Sequence, residues 1–260
     1  MASMRDIKRR KDSIQSTGQI TKAMKLVSTV KLQKAKGRAE NTKPYFDLMY
    51  ETVQSILAKS GHINHKYLKE SESDKKAVIV VTANRGLAGG YNSNITRMII
   101  DEGFTKENTV VYAVGKKGRE LLERKGYEIK ADYSEAINEP IYKDAKEICD
   151  DVLSAFADGE VGEIYLAYTV FKNTVVHEPQ LIRLLPVEAD DAAHETDGSE
   201  ALMTYEPSEE EALDMIIPKY VCSLVYGALI ESVASENGAR MQAMDSATSN
   251  AEEMISTLSL

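Results

Sequence analysis

Residues 3–60 hold one proline, Pro44, and only two glycines, Gly18 and Gly37, so little interrupts a helix over that whole stretch. Apolar residues fall at Ile7, Ile14, Ile20, Met24, Val27 and Val30, then Leu32 and Ala35. From Ile20 the steps are four, three and three, which is coiled-coil spacing. Such a helix would run roughly 80 Å at 1.5 Å per residue, far longer than a globular domain needs. The other end repeats the theme. After Pro218 the apolar series reads Val221, Val225, Ala228, Leu229 and Val233, then Met241, Met244, Ala247, Ala251, Ile255 and Leu258. Small residues crowd its second half, among them Ala234, Ser235, Gly238, Ala239 and Ala243, and would let a partner helix approach closely. The two terminal helices are predicted to pair antiparallel, because a middle domain can then join both at one place. Two helices lying flat on a compact domain is the other arrangement this pattern leaves open.

Between the ends the pattern changes to alternating strands and helices. Ala77–Thr82 and Thr109–Val114 are short β-branched runs suited to buried parallel strands. Helical stretches are predicted at 92–102, 116–125 and 140–156, and two further strands at 163–171 and 175–186, with a hairpin turn near Lys172-Asn173-Thr174. The fold class is α/β, a small open sheet with helices on its faces. The expected division is an N-terminal coiled-coil helix over 1–60, a Rossmann-like central domain over 75–190 and a C-terminal coiled-coil helix over 208–260. Residues 188–200 are acidic and small, which suits a mobile surface loop. Ser208 followed by Glu211 has the form of a capping box opening the last helix.

Composition narrows the function. Apolar residues make up 43% of the chain, enough for a core. The net charge of −9 is unevenly spread: residues 1–43 carry twelve Lys/Arg against three Asp/Glu. A segment of +9 on an acidic body is predicted to face an acidic partner. Nucleic acid is disfavoured, since no aromatics interleave those cations. The N-terminus has no apolar stretch of a secretory signal and no transit peptide, and no uninterrupted 18-residue apolar run is visible, so any membrane contact is expected to be peripheral. Cys149 and Cys222 are far apart and outside any CxxC, and read as two reduced thiols.

Local motifs suggest no active site. The turn Thr82–Asn92, with Gly86, Gly89 and Gly90, lies between a strand and a helix, where phosphate can bind helix amides. It lacks both the GxGxxG order and the GK[ST] of a P-loop, so a tight structural turn is the safer reading. Gly115-Lys116-Lys117-Gly118 is read the same way. His62, His65, His177 and His194 show no ligand spacing, and neither metal nor cofactor is expected. No Ser-His-Asp or Cys-His grouping can be proposed.

Three segments resemble one family. Ile20–Ser28 (ITKAMKLVS), Arg85–Asn92 (RGLAGGYN) and Ala234–Ala251 (ASENGARMQAMDSATSNA), with Tyr205-Glu206-Pro207-Ser208, are similar in order and spacing to the gamma subunit of F-type ATP synthases. The resemblance spans nearly the whole chain. It implies an antiparallel coiled coil of the terminal helices above a Rossmann-like foot, acting as the central-stalk rotor that couples c-ring rotation, driven by protons or sodium ions, to ATP synthesis or hydrolysis on a hexamer of three alpha and three beta subunits. The implied partners are alpha, beta, epsilon and the c-ring. Catalytic residues would lie elsewhere in the complex, and the chain would sit peripherally on the cytoplasmic face of a bacterial membrane. By the same resemblance Met24, Glu236 and Arg240 lie where coupling to the alpha-beta hexamer is sensitive, and Tyr205 and Glu206 belong to the foot facing the c-ring. Family members usually continue past Leu260 with an Arg-Gln pair that meets beta, so a C-terminally truncated chain is expected. The chain also lacks the cysteine-bearing insert of chloroplast relatives, which points to a bacterial type. The rival readings are an α/β nucleotide-binding enzyme with helical extensions, resting on Gly86–Gly90, and an unrelated coiled-coil scaffold.

Overall fold

The computed structural model describes residues 4–59, 65–69, 73–187 and 208–259. The chain opens with α1 (Met4–Lys59) and closes with α5 (Glu209–Thr257). Between them lie β1 (Lys76–Val81), α2 (Tyr91–Asp101), β2 (Thr109–Val114), α3 (Lys116–Arg124), β3 (Glu128–Asp132), α4 (Tyr142–Ala157), β4 (Glu163–Phe171) and β5 (His177–Leu185). Both long helices run through a proline, Pro44 and Pro218.

The sheet has the order β3-β2-β1-β4-β5, parallel except for the antiparallel β4–β5 hairpin. Ala77–Val81 are at most 1% exposed, and β2 is buried throughout, which explains why both central strands read as unbroken apolar runs. Edge strand β3 alternates exposed and half-buried residues over Glu128-Ile129-Lys130-Ala131-Asp132. Its charges at every second position hid it from the sequence pattern. One face of the sheet packs Val78, Val80 and Val111 against Ile95 and Ile99 of α2 and Leu122 of α3. The other packs Ile79, Val81 and Leu166 against α4 and the first half of α5.

The helix pair is antiparallel. Gly18 meets Ala251, where a Cβ would lie 3.4 Å from the Ala251 Cβ. Thr21 bonds Thr248 at 2.7 Å, Lys25 bonds Asp245 at 2.5 Å, and Tyr50 faces Tyr220. α1 packs mainly along α5; toward the α/β body it makes polar ties such as Lys34 Nζ to Glu139 Oε1 at 2.7 Å and Arg38 Nη2 to the Pro140 carbonyl at 2.5 Å, and near its carboxyl end Val53, Ile56 and Leu57 join the core shared with α4, α5 and the sheet. The arrangement flat on a compact domain is therefore not adopted.

The seam corrects the apolar spacing read from the sequence. Residues of α1 turned toward α5 are Ile7, Lys11, Ile14, Gly18, Thr21, Lys25, Ser28, Leu32 and Ala35, alternating steps of four and three. Ile20, Val27 and Val30 are instead 57%, 58% and 66% exposed. The reason is helix separation. Glycine, alanine and hydroxyl side chains let the backbones come close, and branched residues would hold them apart. On α5 the matching seam is Met241, Met244, Thr248, Ala251, Ile255 and Leu258. Thr248 joins it beside the expected Ala247.

Other small residues of α5 serve a different neighbour than expected. Ser235 Oγ donates to the Thr169 carbonyl at 3.1 Å, Gly238 carries the His177 ring, and Ala239 packs on Ala83, Ala88 and Tyr91. They admit the sheet and its turns, while Ala234 packs with Leu32 and Ala35 of α1.

Within 210–257, one 18-residue window is apolar and charge-poor enough to cross a bilayer by length and composition, although polar residues interrupt it. Some 56% of it is buried inside the molecule against α1, α4 and the sheet, as a core helix requires. Ser208 Oγ accepts from the Glu211 amide at 3.2 Å and caps α5.

Candidate functional site

A cleft of about 780 Å³ separates the middle of α1 from the loops at the carboxyl ends of β1 and β3. Met24, Lys31 and Arg38 of α1 form one wall, the turn Asn84–Leu87 and the loop Ile137–Pro140 form another, and Val233, Glu236, Asn237 and Arg240 of α5 form the floor. Met24 thus shares one site with Glu236 and Arg240, more than 200 positions away in sequence.

The turn is built to meet α5. Leu87 adopts a positive φ of 63° and Gly89 one of 55°. Asn92 accepts from the Ala83 amide at 2.9 Å and donates to the Arg85 carbonyl at 3.3 Å, closing the loop on itself. Asn84 donates to the Ser134 carbonyl at 2.7 Å and to Asn138 at 3.0 Å, tying the turn to the loop after β3. Arg240 then bridges the two bodies: Nη1 pairs with Glu236 at 2.7 Å and Nη2 donates to the Gly86 carbonyl at 3.2 Å. Both side chains of the pair are nearly buried, at 12% and 14% exposure. A charge pair so placed is costly to break, since either partner alone would be left desolvated. Beneath it the Tyr91 hydroxyl donates to the Ser232 carbonyl at 3.1 Å, and burial pushes its pKa far above the ordinary value.

The cleft is rich in cations. Lys34, Arg38 and Lys31 surround Glu139 and hold its carboxyl below the usual range, with the hydrogen bond from Lys34 foremost. Above it on α1, Ile20, Leu26, Val27 and Val30 stand in solvent. The surface therefore combines exposed apolar residues with basic ones along a stiff helix.

The second glycine motif has no room for phosphate. At Gly115, with φ 111°, a Cβ would lie 2.1 Å from the Thr82 carbonyl oxygen, and one at Gly118 would lie 2.6 Å from Thr82 Oγ1. The amides opening α3 are already used: Lys116 donates to Asn84 Oδ1 and Gly118 to Thr82 Oγ1, both at 2.9 Å. Structural closure is the whole purpose of this motif.

Of the residues singled out from sequence, Tyr205 and Glu206 lie outside the described residues, as do His62, His194 and the acidic segment 188–200. His65 is buried against Asp214, 3.2 Å away, a distant ion-pair geometry with no local sequence signal. The two cysteines meet across α4 and α5. Hydrogen bonding from Cys149, assisted by Tyr142, lowers the pKa of the Cys222 thiol, and the same bond together with burial pushes Cys149 up. Among the described residues no cluster of His, Cys, Asp or Glu could hold a metal ion.

Comparison with known proteins agrees along the full length. The sequence profile of the family described as ATP synthase matches residues 3–260. The chain is 67% identical to the ATP synthase gamma chain of Lachnoclostridium phytofermentans over 266 residues, covering 100% of this chain and 91% of that one. It is 41% identical to the sodium ion specific ATP synthase gamma chain of Acetobacterium woodii, covering 99% and 91%. Its fold is similar to a chain in the cryo-EM structure of the Tetrahymena thermophila mitochondrial ATP synthase central stalk and c-ring, with TM-score 0.68 and 25% identity, covering 88% of this chain and 99% of that one.

Proposed function

The chain belongs to the ATP synthase gamma-chain family, and from that premise we propose that it is the non-catalytic central-stalk rotor of an F-type ATP synthase, turning with a c-ring inside a hexamer of alpha and beta subunits. The observation that carries this reading is the α1–α5 pair. Its seam is closed by small residues while Ile20, Leu26, Val27 and Val30 face outward beside the Met24–Glu236–Arg240 cleft. A monomer gains nothing by exposing four large apolar residues along one helix, whereas a shaft enclosed by partner subunits buries them. Two helices locked by a close seam resist bending and twisting, so torque applied at the foot reaches the far end. An asymmetric surface rotating past three partners favours a different conformation in each, which is coupling by differential contact.

Residues 1–60 and 208–260 then form the shaft and residues 75–190 the foot. In the foot, epsilon and the c-ring are the neighbours the family implies, with Tyr205 and Glu206 in the segment that meets the ring. Arg240 and Glu236, holding the shaft to the Gly86 turn, transmit torque between foot and shaft, and Met24 faces them across the cleft. The basic segment 1–43 suits acidic surfaces of the hexamer, because long-range charge attraction survives sliding where fixed bonds would not. Bond-making chemistry is left to the partner subunits, and the assembly lies on the cytoplasmic face of a bacterial membrane.

Co-expression with the cognate alpha and beta subunits tests the reading. Native mass spectrometry should find one copy of this chain per three alpha and three beta, with ATP hydrolysis above that of alpha-beta alone. In the membrane-bound complex, Arg240→Ala should lower ion pumping more than hydrolysis. Absence of any complex, with saturable nucleotide binding by the chain alone, would overturn the proposal in favour of a nucleotide-binding enzyme.

A further inference from the structure

The two cysteines sit where α4 packs on the first half of α5. Cys149 lies in the middle of α4 and Cys222 on α5, and both belong to the core that these helices share with the sheet. They are free thiols, 1% and 4% exposed. A cysteine that only fills core volume behaves as a small hydrophobe and needs no polar partner. Here the Cys149 thiol is hydrogen-bonded to Cys222 across the helix interface, and the Tyr142 hydroxyl bonds Cys222 as well. Tyr142 and Cys149 are seven residues apart on α4, two turns along one face, so a single helix aims both donors at one sulfur.

The two sulfurs are prepared for different tasks. As a thiolate, Cys222 accepts from Cys149 and from Tyr142, and both bonds lower its pKa against the opposing effect of burial. Lys146 and Asp150, paired with each other at 2.9 Å, act on it in opposite directions. Cys149 shifts the other way, because the bond it gives to Cys222 and its own burial both hold its proton in place. The thiolate is the reactive form. One thiol that ionises readily beside one that stays protonated is the division between an attacking and a resolving cysteine. A way in exists beside Tyr142, the side chain that touches Cys222, which is 42% exposed. Hydrogen peroxide, scarcely larger than water, suits so narrow a path better than a bulky disulfide reagent.

We propose that Cys149 and Cys222 form a modification site, a dithiol that a hydroperoxide converts into a disulfide stapling α4 to α5. The Cys222 thiolate attacks one oxygen of hydrogen peroxide. An S–O bond forms, the O–O bond breaks and hydroxide leaves, so the sulfur gives two electrons to the peroxide and becomes a sulfenic acid. Cys149 then attacks that sulfur. The S–S bond forms as the S–O bond breaks, and the departing hydroxide takes the Cys149 proton and leaves as water. Together, two thiols and one peroxide give one disulfide and two waters. A dithiol reductant reverses the change.

The bridge joins a helix of the α/β body to the helix that continues into the α1–α5 pair. The loop Ile137–Pro140, which lines the cleft and holds Arg38 through the Pro140 carbonyl, leads directly into α4. Oxidation therefore secures the anchor of that loop to α5 by a covalent bond where the reduced chain has packing alone. The chemistry is the same whether or not the chain turns inside a hexamer.

The full chain, purified under reductant and freed of it, is treated with hydrogen peroxide, quenched, and unfolded in urea with iodoacetamide. Mass spectrometry should find a chain about 2 Da lighter with neither thiol alkylated. Its tryptic peptides 147–172 and 220–240 should be joined until a dithiol reductant separates them. The bridge should form at least about tenfold faster in the folded chain than in the urea-unfolded one, where the two thiols are no longer held together. Cys149→Ser, or Cys149→Ala where the serine chain does not fold, should leave Cys222 as a sulfenic acid that dimedone traps. Four results would each overturn the inference: both thiols still open to alkylation, sulfinic acid or a dimer between chains in place of the bridge, a bridge that forms no faster than in urea, or no dimedone adduct on a folded Cys149 variant.

Discussion

Gly238 lies directly beneath the imidazole of His177: a Cβ at position 238 would fall 2.5 Å from Nε2 and 2.7 Å from Cε1. The β4–β5 hairpin thus rests on α5 at a residue without a side chain. Phe171 flanks the ring from β4, with centroids 5.9 Å apart, so the imidazole cannot simply swing aside. Gly238→Ala should therefore destabilise by about 1–3 kcal/mol through overpacking, although alanine is the better helix former. Removing the ring in the double variant with His177→Ala should recover most of the loss. Urea unfolding of the four chains of that cycle measures the coupling, and additive costs would show that the contact is not what constrains position 238.

The two glycine turns should respond differently to the same substitution. Gly115→Ala drives a methyl to 2.1 Å from the Thr82 carbonyl at φ 111°, where neither backbone can yield. Loss of folded protein at 37 °C is expected. Gly89 has φ 55° but nothing within 4 Å of its missing Cβ, so Gly89→Ala should cost only the left-handed penalty, roughly 1–2 kcal/mol. Thermal melts of the two variants side by side check this contrast, and equal losses would contradict it.

The seam offers a third test. Thr21 and Thr248 share a hydrogen bond of 2.7 Å inside the helix pair. Each hydroxyl also donates within its own helix, Thr21 to the Gly18 carbonyl at 3.1 Å and Thr248 to the Met244 carbonyl at 2.8 Å, so either single change to valine loses only the bond between the helices and should cost about 1 kcal/mol or less, while the double change, with methyls of similar shape on both sides, should cost no more than one single. Denaturant midpoints of the three variants decide it, and a double variant as weak as the sum of the singles would refute it.

That seam also shows where sequence reasoning reached its limit. The long helices, the α/β middle and strands β2 and β4 were legible because their signals are local: missing helix breakers, and β-branched runs bounded by turns. Which face of α1 meets α5 is not a local property. Ile20, Val27 and Val30 have the spacing of a seam but are exposed, while Thr21, Ser28 and Ala35 hold it, because a close pair selects small residues over apolar ones. Strand β3 escaped because Glu128, Lys130 and Asp132 mark an edge strand no differently from a loop. At the candidate cleft, the motifs located Met24, Glu236 and Arg240, but the Gly86 carbonyl that Arg240 holds and the Lys34–Glu139 tie are long-range and carry no pattern. The unbonded ring nitrogens of His177 are invisible for the same reason, since a hydrogen-bond deficit exists only once the chain has folded.

Glu231 gives the stability of the fold a pH dependence of known sign. Its side chain is half-buried on α5, and Oε2 has no hydrogen-bond partner. Burial raises its pKa, offset only in part by the Phe171 amide and by Lys43 and Lys172. A folded-state value above the unfolded one means that this group favours folding while protonated, below the unfolded carboxyl value near 4.3, and loses that contribution as pH rises through the folded value. At neutral pH the ionised carboxylate is therefore a burden that the isosteric amide would not carry. Glu231→Gln should leave stability unchanged near pH 4 and raise it at pH 7–8, a gain of about 1 kcal/mol appearing as roughly 2–4 °C in Tm. Thermal unfolding of both chains across pH 4 to 8 measures the difference, which must widen as pH rises. A difference that is constant, or that shrinks with pH, would show that the carboxylate is solvated or paired in the folded protein.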